Sequence, residues 1–169
     1  MSHKPLIAIR KIVSVGRVIA IALAARKAKR KVVTTNGCFD ILHIGHVRNL
    51  EAARAQGDIL IVGINSDASV RENKGALRPI IPARERAEVL AGLACVDYVF
   101  IFPEKTPLSW MRKLRPSVHV KGAGSEHSAA FASEKQVVEK GGGIVKIAFQ
   151  TKNHSTSSII GTILKRYKK

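Results

Sequence analysis

Residues 35–46 contain the side chains best suited to chemistry on a phosphate group. His43 and His46 flank Gly45 at the predicted start of a helix, directly after a predicted buried strand. A helix N-terminus presents free backbone N–H groups and the positive end of the helix dipole, so it attracts phosphate. Gly45 has no side chain to keep phosphate oxygens away, and two imidazoles at this spacing can point the same way. On spacing alone, a capping or packing role for the two histidines fits equally well.

Other chemical sites are less well supported by the sequence. Neither a Walker loop nor a Gly-x-Gly-x-x-Gly turn occurs in the chain. Cys38 lies in the same segment as the histidines with no base evident beside it, which favours a packing role over a nucleophile. Cys38 and Cys95 form no disulfide framework, no Cys/His spacing resembles a zinc site, and a reducing, cytoplasmic compartment is expected. His3, His119 and His127 are interpreted as structural or exposed.

The hydrophobic pattern predicts the elements that must position these residues. Strands are predicted where apolar or β-branched runs occur, and helices where apolar residues recur at helical spacing. The predicted strands are residues 31–35, 58–65, 98–102, 118–121 and 144–149. The predicted helices are residues 5–29, 46–56, 82–93, 106–114, 134–140 and 155–167, with a basic loop over 66–81.

The order of these elements predicts the fold class. Strand 58–65 is apolar through its middle, which indicates burial on both faces, as in a parallel sheet. Strands alternate with helices from residue 31 onward, so right-handed βαβ units are expected. The predicted fold is α/β, a Rossmann-like doubly wound parallel sheet of about five strands with helices on both faces. Ligands of such sheets bind outside the carboxyl ends of the strands. The loops that begin there start at Asn36, Asn65, Phe102, Lys121 and Thr151.

Length and charge restrict the class of protein. The chain has 169 residues, enough for one α/β domain, and a formal net charge of +17 that implies anionic partners. Residues 1–39 contain no acid, and residues 1–30 are predicted to be a basic helical segment that packs on or leads into a domain at 31–169. A solvated surface stretch and an organelle presequence are the alternatives for that segment. The longest apolar run, residues 18–25, is too short for stable membrane insertion.

The string that starts at Asn36 adds a family resemblance. Residues 36–46 read Asn-Gly-Cys-Phe-Asp-Ile-Leu-His-Ile-Gly-His, which closely resembles the signature of the HxGH nucleotidyltransferase superfamily, in its cytidylyltransferase-like branch. Residues 62–70, 74–75, 78–79, 84–86, 117–122 and 154–160 are similar to motifs of the heptose 1-phosphate adenylyltransferases in that branch. The resemblance covers roughly residues 31–165 and includes no kinase half.

The resemblance implies a reaction. AMP would pass from ATP to heptose 1-phosphate by direct in-line attack on the α-phosphate, giving ADP-heptose and pyrophosphate without a covalent enzyme intermediate. Such chemistry needs positioning and charge neutralisation more than a protein nucleophile. His43, His46 and Lys74 would be the catalytic residues, with the histidines donating hydrogen bonds to the triphosphate. Mg²⁺ is expected with ATP, held mainly by phosphates and water, and no protein metal ligand is predicted.

The resemblance and the strand ends together give the remaining site residues. The predicted nucleotide-binding residues are Cys38, Phe39, Gly45, His46, Arg78, Lys121, Gly122, Ser155, Thr156 and Ser158. The predicted acceptor-binding residues are Asn36, Asp40, Asn65, Asp67 and Arg84. Simpler roles stay open: Lys74 and Arg78 fit a solvated basic loop, and Asp67 and Ser155 fit caps of the elements that follow them.

One stretch departs from the family pattern. After Val-Lys-Gly, these adenylyltransferases usually continue with Gly-Asp-Tyr, whereas residues 123–126 read Ala-Gly-Ser-Glu. Glu126 is the candidate replacement for the missing acid. The departure leaves room for another cytidylyltransferase-like enzyme, which would use CTP with glycerol 3-phosphate or ATP with FMN.

The basic termini motivate a second class, a non-catalytic protein that binds anions. Aromatic residues make up only 5% of the chain and no nucleic-acid motif appears, so no nucleic-acid partner is expected. The intact histidine pair also favours the enzyme. The expected partners are therefore ATP and a sugar phosphate. A homodimer is also open, because dimers are common in the superfamily that the chain resembles.

Overall fold

Five parallel strands form the centre of the structure. A computed structural model describes residues 7–148 and 155–168 of the chain. The strands are β1 (Val32–Gly37), β2 (Ile59–Asn65), β3 (Tyr98–Phe102), β4 (Val118–Lys121) and β5 (Ile144–Ile147). Their order is β3-β2-β1-β4-β5, and every pairing is parallel. The chain therefore builds outward from β1 in one direction and then in the other, which leaves a crevice where the order reverses.

Helices cover both faces of the sheet, and the predicted doubly wound α/β fold is confirmed. The helices of the described residues are α1 (Val15–Lys27), α2 (Ile44–Arg54), α3 (Asp67–Lys74), α4 (Ala83–Ala91), α5 (Leu108–Leu114), α6 (Ala129–Lys140) and α7 (Thr156–Tyr167). Apolar residues of α2 and α4 pack on one face of the sheet, and those of α1, α5 and α6 pack on the other. Alternate residues of β2 enter the two apolar layers, which explains its continuous apolar sequence.

Within the described N-terminal residues, α1 packs on the sheet. A 3₁₀ turn at Ile7–Lys11 precedes α1, so the predicted helix over 5–29 is interrupted, and residues 5–6 lie outside the described part. The interruption occurs because the Ser14 side chain accepts a hydrogen bond from the Arg17 backbone and caps a new helix. Val18 and Ala22 of α1 are fully buried against the sheet. The division into a basic segment at 1–30, packed on or leading into a domain at 31–169, stays a prediction.

Two other helices differ from the sequence-based expectation. The predicted loop over 66–81 contains α3, which Ser66 caps by accepting a hydrogen bond from the Ser69 backbone. α3 is mostly polar, with Val70 as its fully buried apolar residue, so hydrophobic spacing does not reveal it. α6 begins at Ala129 instead of residue 134, because Ser128 caps it ahead of an alanine-rich stretch. The predicted strand 144–149 ends at Ile147, and residue 149, the loop start at 151 and His3 lie outside the described residues.

Candidate active site

The carboxyl ends of the strands border an open cleft of about 950 Å³. It lies where the order of the strands reverses, beside β1 and β4. The predicted site residues that line it are Asn36, Cys38, Phe39, Asp40, His43, Gly45, His46, Asn65, Lys74, Arg78, Lys121, Gly122, Ser155, Thr156 and Ser158. Residues that are distant in sequence are therefore brought to one place, and the two predicted residues outside the lining are Asp67 and Arg84.

The two histidines stand together at the start of α2. Their rings stack with centroids 3.8 Å apart and an interplanar angle of 24°. His43 is the residue that precedes the first turn, and its carbonyl accepts a hydrogen bond of 2.9 Å from the His46 backbone N–H. Gly45 is buried in the wall of the cleft between them. The first turn of α2 therefore faces the cleft with its positive dipole end, an arrangement suited to a phosphate.

His46 is neutral at neutral pH. Burial, with a smaller contribution from the charge of His43, lowers the pKa of His46 to about 4. The ring centroid of Phe39 lies 5.1 Å from that of His46 and contributes to this apolar setting. A neutral imidazole carries one N–H donor, and a donor in a partly dehydrated wall interacts strongly with charge that develops on a phosphate oxygen. The site is therefore arranged to donate hydrogen bonds rather than to exchange protons in bulk water.

Asp40 ties the loop after β1 to the segment before α4. Its Oδ1 accepts hydrogen bonds from the backbone N–H groups of Ile80 and Ile81, at 2.8 and 3.0 Å. Its Oδ2 accepts a hydrogen bond of 2.5 Å from the Nε of Arg78. Burial alone raises the pKa of Asp40, but the bonds from Ile81, Arg78 and Ile80 outweigh it and lower that pKa. The carboxylate therefore holds Arg78 at the edge of the cleft.

Arg86 of α4 was not predicted as a site residue from the sequence, although it connects the segments that form the cleft. Its side chain has no exposed surface. It donates hydrogen bonds to the carbonyls of Ile81 and Asn65, at 2.8 and 2.9 Å, and to the carbonyl of Cys38. It also pairs with the Oδ1 of Asp67 at 2.8 Å. One buried guanidinium therefore joins the ends of β1 and β2 to α4.

The two residues outside the lining have other contacts. Asp67 accepts hydrogen bonds from the Ala83 backbone at 2.9 Å and from Arg86, which accounts for its carboxylate in structural terms. Arg84 is 87% exposed and lies 3.6 Å from Glu88 one turn further along α4. Neither side chain borders the space that a substrate would occupy.

A buried polar cluster lies beside Lys121 at the end of β4. The Nζ of Lys121 lies 2.6 Å from the Oε2 of Glu134 and 3.4 Å from the Oδ1 of Asn36. The same carboxylate oxygen lies 3.6 Å from the Nε2 of His119, whose Nδ1 is hydrogen-bonded to the Thr34 hydroxyl at 2.8 Å. The cluster fixes Lys121 between β1 and α6, with 14% of its side chain exposed at the cleft.

Glu134 is the acid of this cluster, and the sequence analysis did not select it. Burial alone raises the pKa of Glu134, but the nearby His119 ring and the charge of Lys121 outweigh it and lower that pKa. Glu126, the expected replacement for the family's acid, is exposed and does not line the cleft. The available signal was the helical spacing of Glu134 and Val138, which are both buried on the inner face of α6.

The lining also contains polar residues that were not predicted. They are Asn49, Asn73, Lys105, Thr106, Ser157 and Glu134. Its acids, Asp40 and Glu134, are each paired with a cation, whereas Lys74 and Lys105 add further positive charge. Within the described residues, no group of three or more His, Cys, Asp or Glu side chains is placed to hold a metal ion. The cleft is therefore electrostatically suited to a polyanion.

The first turn of α7 closes one side of the cleft. The Ser155 side chain accepts a hydrogen bond of 3.1 Å from the Ser158 backbone, and the Ser158 side chain accepts one of 3.1 Å from the Ser155 backbone. Thr156 is buried, and its hydroxyl lies 3.5 Å from the carbonyl of Ile41. Ser155 therefore both caps α7 and lines the cleft.

In the described part of the chain, no helix is long and apolar enough to cross a membrane.

Comparison with known proteins identifies close relatives in sequence. A family model described as cytidylyltransferase-like matches residues 34–162. The bifunctional protein HldE of Geobacter sulfurreducens is 48% identical over 151 residues, which cover 89% of this chain and 30% of that protein. The protein of the same name from Pelobacter propionicus is 45% identical over 151 residues, again 89% of this chain and 30% of the relative. The chain thus spans about 30% of the length of these relatives.

Solved structures share the architecture. The lipopolysaccharide core biosynthesis protein of Thermoplasma volcanium GSS1 superposes with a TM-score of 0.60 at 26% identity, over 72% of this chain and 99% of that one. A pantoate-β-alanine ligase from Francisella tularensis, solved with β,γ ATP and β-alanine, gives a TM-score of 0.54 at 17% identity. The second match covers 91% of this chain and 78% of that one, and it shows the fold alone.

Proposed function

The chain belongs to the cytidylyltransferase-like family, and from that premise we propose that it transfers AMP from ATP to heptose 1-phosphate, forming ADP-heptose and pyrophosphate. The observation that carries the proposal is the stacked pair of His43 and His46 at the start of α2, inside a cationic cleft. The sequence resemblance to heptose 1-phosphate adenylyltransferases supports the choice of substrates. The similarity to a protein named for lipopolysaccharide core biosynthesis supports a sugar acceptor of that kind.

The reaction needs no protein nucleophile. A phosphate oxygen of the acceptor attacks the α-phosphorus of ATP in line, and the bond from that phosphorus to the oxygen bridging to the β-phosphate breaks. Cys38, the thiol in the lining, is a poor nucleophile here because burial raises its pKa, despite the lowering effects of Lys74 and Arg86. Catalysis then rests on holding the reactants in line and on stabilising the charge that develops on the leaving pyrophosphate.

The cleft residues divide these tasks. His43 and His46 donate hydrogen bonds to the triphosphate beside the first turn of α2. Lys74 from α3 and Lys121 from β4 neutralise its charge from opposite sides of the crevice. The N-terminus of α7 at Ser155 supplies a second set of donors for the terminal phosphates. Asn36 and Asn65 line the cleft on adjacent strands, and in this proposal they contact the acceptor.

We include Mg²⁺ in the proposal as a companion of ATP. The carboxylates in the described lining are both engaged by cations, so the donor set fits an ion held by phosphate oxygens and water rather than by a protein cage. When bound in this way, the ion supplies charge neutralisation on the triphosphate. A cytoplasmic setting is proposed as well, and the two free cysteines are compatible with its reducing conditions.

The proposal is tested by pyrophosphate release from the purified chain. ATP or CTP with Mg²⁺ is offered against heptose 1-phosphate, glycerol 3-phosphate and FMN in separate reactions. Turnover with ATP and heptose 1-phosphate is the expected result, and mass spectrometry of the product must show ADP-heptose. Turnover with another pair would replace the substrates and keep the transfer mechanism. Absence of turnover with every pair would contradict the enzyme assignment and favour an anion-binding protein.

Glu134 gives a sharper prediction within this function. Glu134→Gln is expected to lower kcat/KM by roughly 10- to 100-fold, because Lys121 loses the carboxylate that fixes it at the cleft and small displacements of a positioning group are costly. The matched control is Glu126→Gln, on the exposed loop outside the lining, which is expected to behave like the wild type. Steady-state kinetics and circular dichroism of both variants provide the measurement. Equal activities of the two variants would contradict a positioning role for Glu134.

A further inference from the structure

The second half of α7 leaves its apolar side chains uncovered by the described structure. Thr156 at the start of the helix is buried, whereas Ile163, Leu164 and Tyr167 are 47%, 63% and 80% exposed. At about 100° per residue, the apolar positions of the helix fall within an arc of about 140°. They are Ile159, Ile160, Ile163, Leu164 and Tyr167. α7 is therefore anchored at the cleft by its first turn and presents an apolar stripe further along.

Cations lie along one edge of this stripe and at its C-terminal end. By the same helical geometry, Arg166 falls next to the edge marked by Ile159. Lys168 is the residue that follows the last turn of α7, at the C-terminal end of the stripe. Both cations are exposed. The sequence of α7 contains no aspartate or glutamate. A partner of this face must therefore accept apolar side chains at its centre and positive charge along its margins.

We propose that this face of α7 docks onto an anionic lipid surface. A helix with an apolar stripe and lysine or arginine at its borders is suited to lie in the plane of a bilayer interface, with the stripe among the acyl chains and the cations at the headgroups. The formal net charge of +17 adds a long-range attraction to the same surface. The 12 residues of α7 extend over about 18 Å, enough for adsorption along the surface.

Charge also favours a lipid surface over a second copy of the chain as the partner of this face. Two copies that pair through α7 would meet with cations on both helices and no acid of α7 to oppose them. A lipid surface rich in phosphate headgroups supplies the opposing charge at every point of contact. The observations therefore favour the lipid surface over self-association.

Docking through α7 would also orient the cleft. Ser155 and Ser158 in the first turn of the helix line the cleft, while Leu164 and Tyr167 lie two to three turns further along the same helix. A helix is stiff over this length, so the bound surface and the cleft keep a fixed relation to each other. The inference does not depend on which nucleotide or acceptor the cleft uses.

Vesicle co-sedimentation tests the proposal with the full chain. Vesicles of phosphatidylcholine alone are compared with vesicles that also contain phosphatidylglycerol. We expect sedimentation only with the anionic vesicles, and a loss of affinity of at least tenfold for the double variant Leu164→Gln/Tyr167→Gln, whose charge is unchanged. Leu23→Gln on α1, at a position 49% exposed, is the matched control and is expected to bind like the wild type. Pyrophosphate release in solution should be the same for all three proteins.

Two results would overturn the inference. Equal binding of the double variant and the wild type would show that the general charge of the chain, and not the stripe, holds the vesicles. A concentration-dependent dimer in analytical ultracentrifugation, lost in the double variant, would assign the face to a second copy. Circular dichroism of each variant confirms that a loss of binding is not a loss of folding.

Discussion

Replacement of His46 by alanine is expected to lower kcat by roughly 100- to 1,000-fold, the usual effect of removing one preorganised donor to a developing oxyanion. His46 is held against His43 at 3.8 Å between ring centroids, and its neutral imidazole has one N–H to donate. The KM for ATP is expected to change much less than kcat, because the interaction strengthens as charge develops on the leaving pyrophosphate. Pyrophosphate release at saturating ATP measures the effect.

The control for this variant is His127→Ala. His127 is exposed and lies outside the lining of the cleft, so its removal should leave both kinetic constants unchanged. A rise in KM with an unchanged kcat for His46→Ala would mean that the imidazole binds the ground state and the transition state equally. Activity of His46→Ala within a factor of three of the wild type would remove the histidine pair from the mechanism.

Arg86→Leu is expected to lower the free energy of unfolding by about 3–5 kcal/mol, because three backbone carbonyls lose the buried donor that satisfies them. The side chain of Arg86 has no exposed surface and satisfies three backbone carbonyls, those of Cys38, Asn65 and Ile81. Leucine restores none of these hydrogen bonds, and each buried acceptor left unsatisfied is destabilising. Urea denaturation followed by circular dichroism gives the free energy.

Arg84→Leu on the same helix is the matched control. Arg84 is 87% exposed, and its pairing with Glu88 at 3.6 Å is a surface interaction within one helix, so the change should stay within about 0.5 kcal/mol. If the two variants unfold at the same urea concentration, the buried network of Arg86 is not what joins α4 to the strand ends. If the Arg86→Leu variant is soluble but partly unfolded, that result would support the structural role of Arg86. Arg86→Lys keeps the charge, so its free energy of unfolding should lie between those of Arg86→Leu and the wild type.

The sheet was predictable from sequence because strands that are buried on both faces consist of continuous apolar or β-branched residues. The apolar run of β2 and the β-branched run before Asn36 mark strands whatever they pair with. α3 could not be found in this way, since Val70 is its one buried apolar residue and the Ser66 cap defines its start. Its length of 8 residues is too short for a periodic pattern to stand out.

The site residues likewise fall into those that a local sequence pattern predicts and those that it does not. The histidine segment is contiguous, so its residues could be selected together from one string of sequence. Arg86 and Glu134 act through tertiary contacts that leave no local pattern in the sequence. Arg86 donates to a carbonyl 48 residues away, and Glu134 pairs with a lysine on a neighbouring strand. A charged residue in a helix is usually solvated, and only the tertiary structure shows which ones are buried and paired. The roles of the remaining site residues stay predictions until they are tested.

The pairing of β1 with β4 has a consequence for how the protein is made. Thr34 and His119, which meet across this pairing, are 85 residues apart, whereas β1 to β3 are joined by shorter connections. Long loops are closed late, since their entropy must be lost before the contacts that reward it can form. During synthesis the half of the sheet that carries the histidines can assemble before β4 leaves the ribosome. The cleft is complete only later, when Lys121 of β4, Glu134 of α6 and the first turn of α7 have been added.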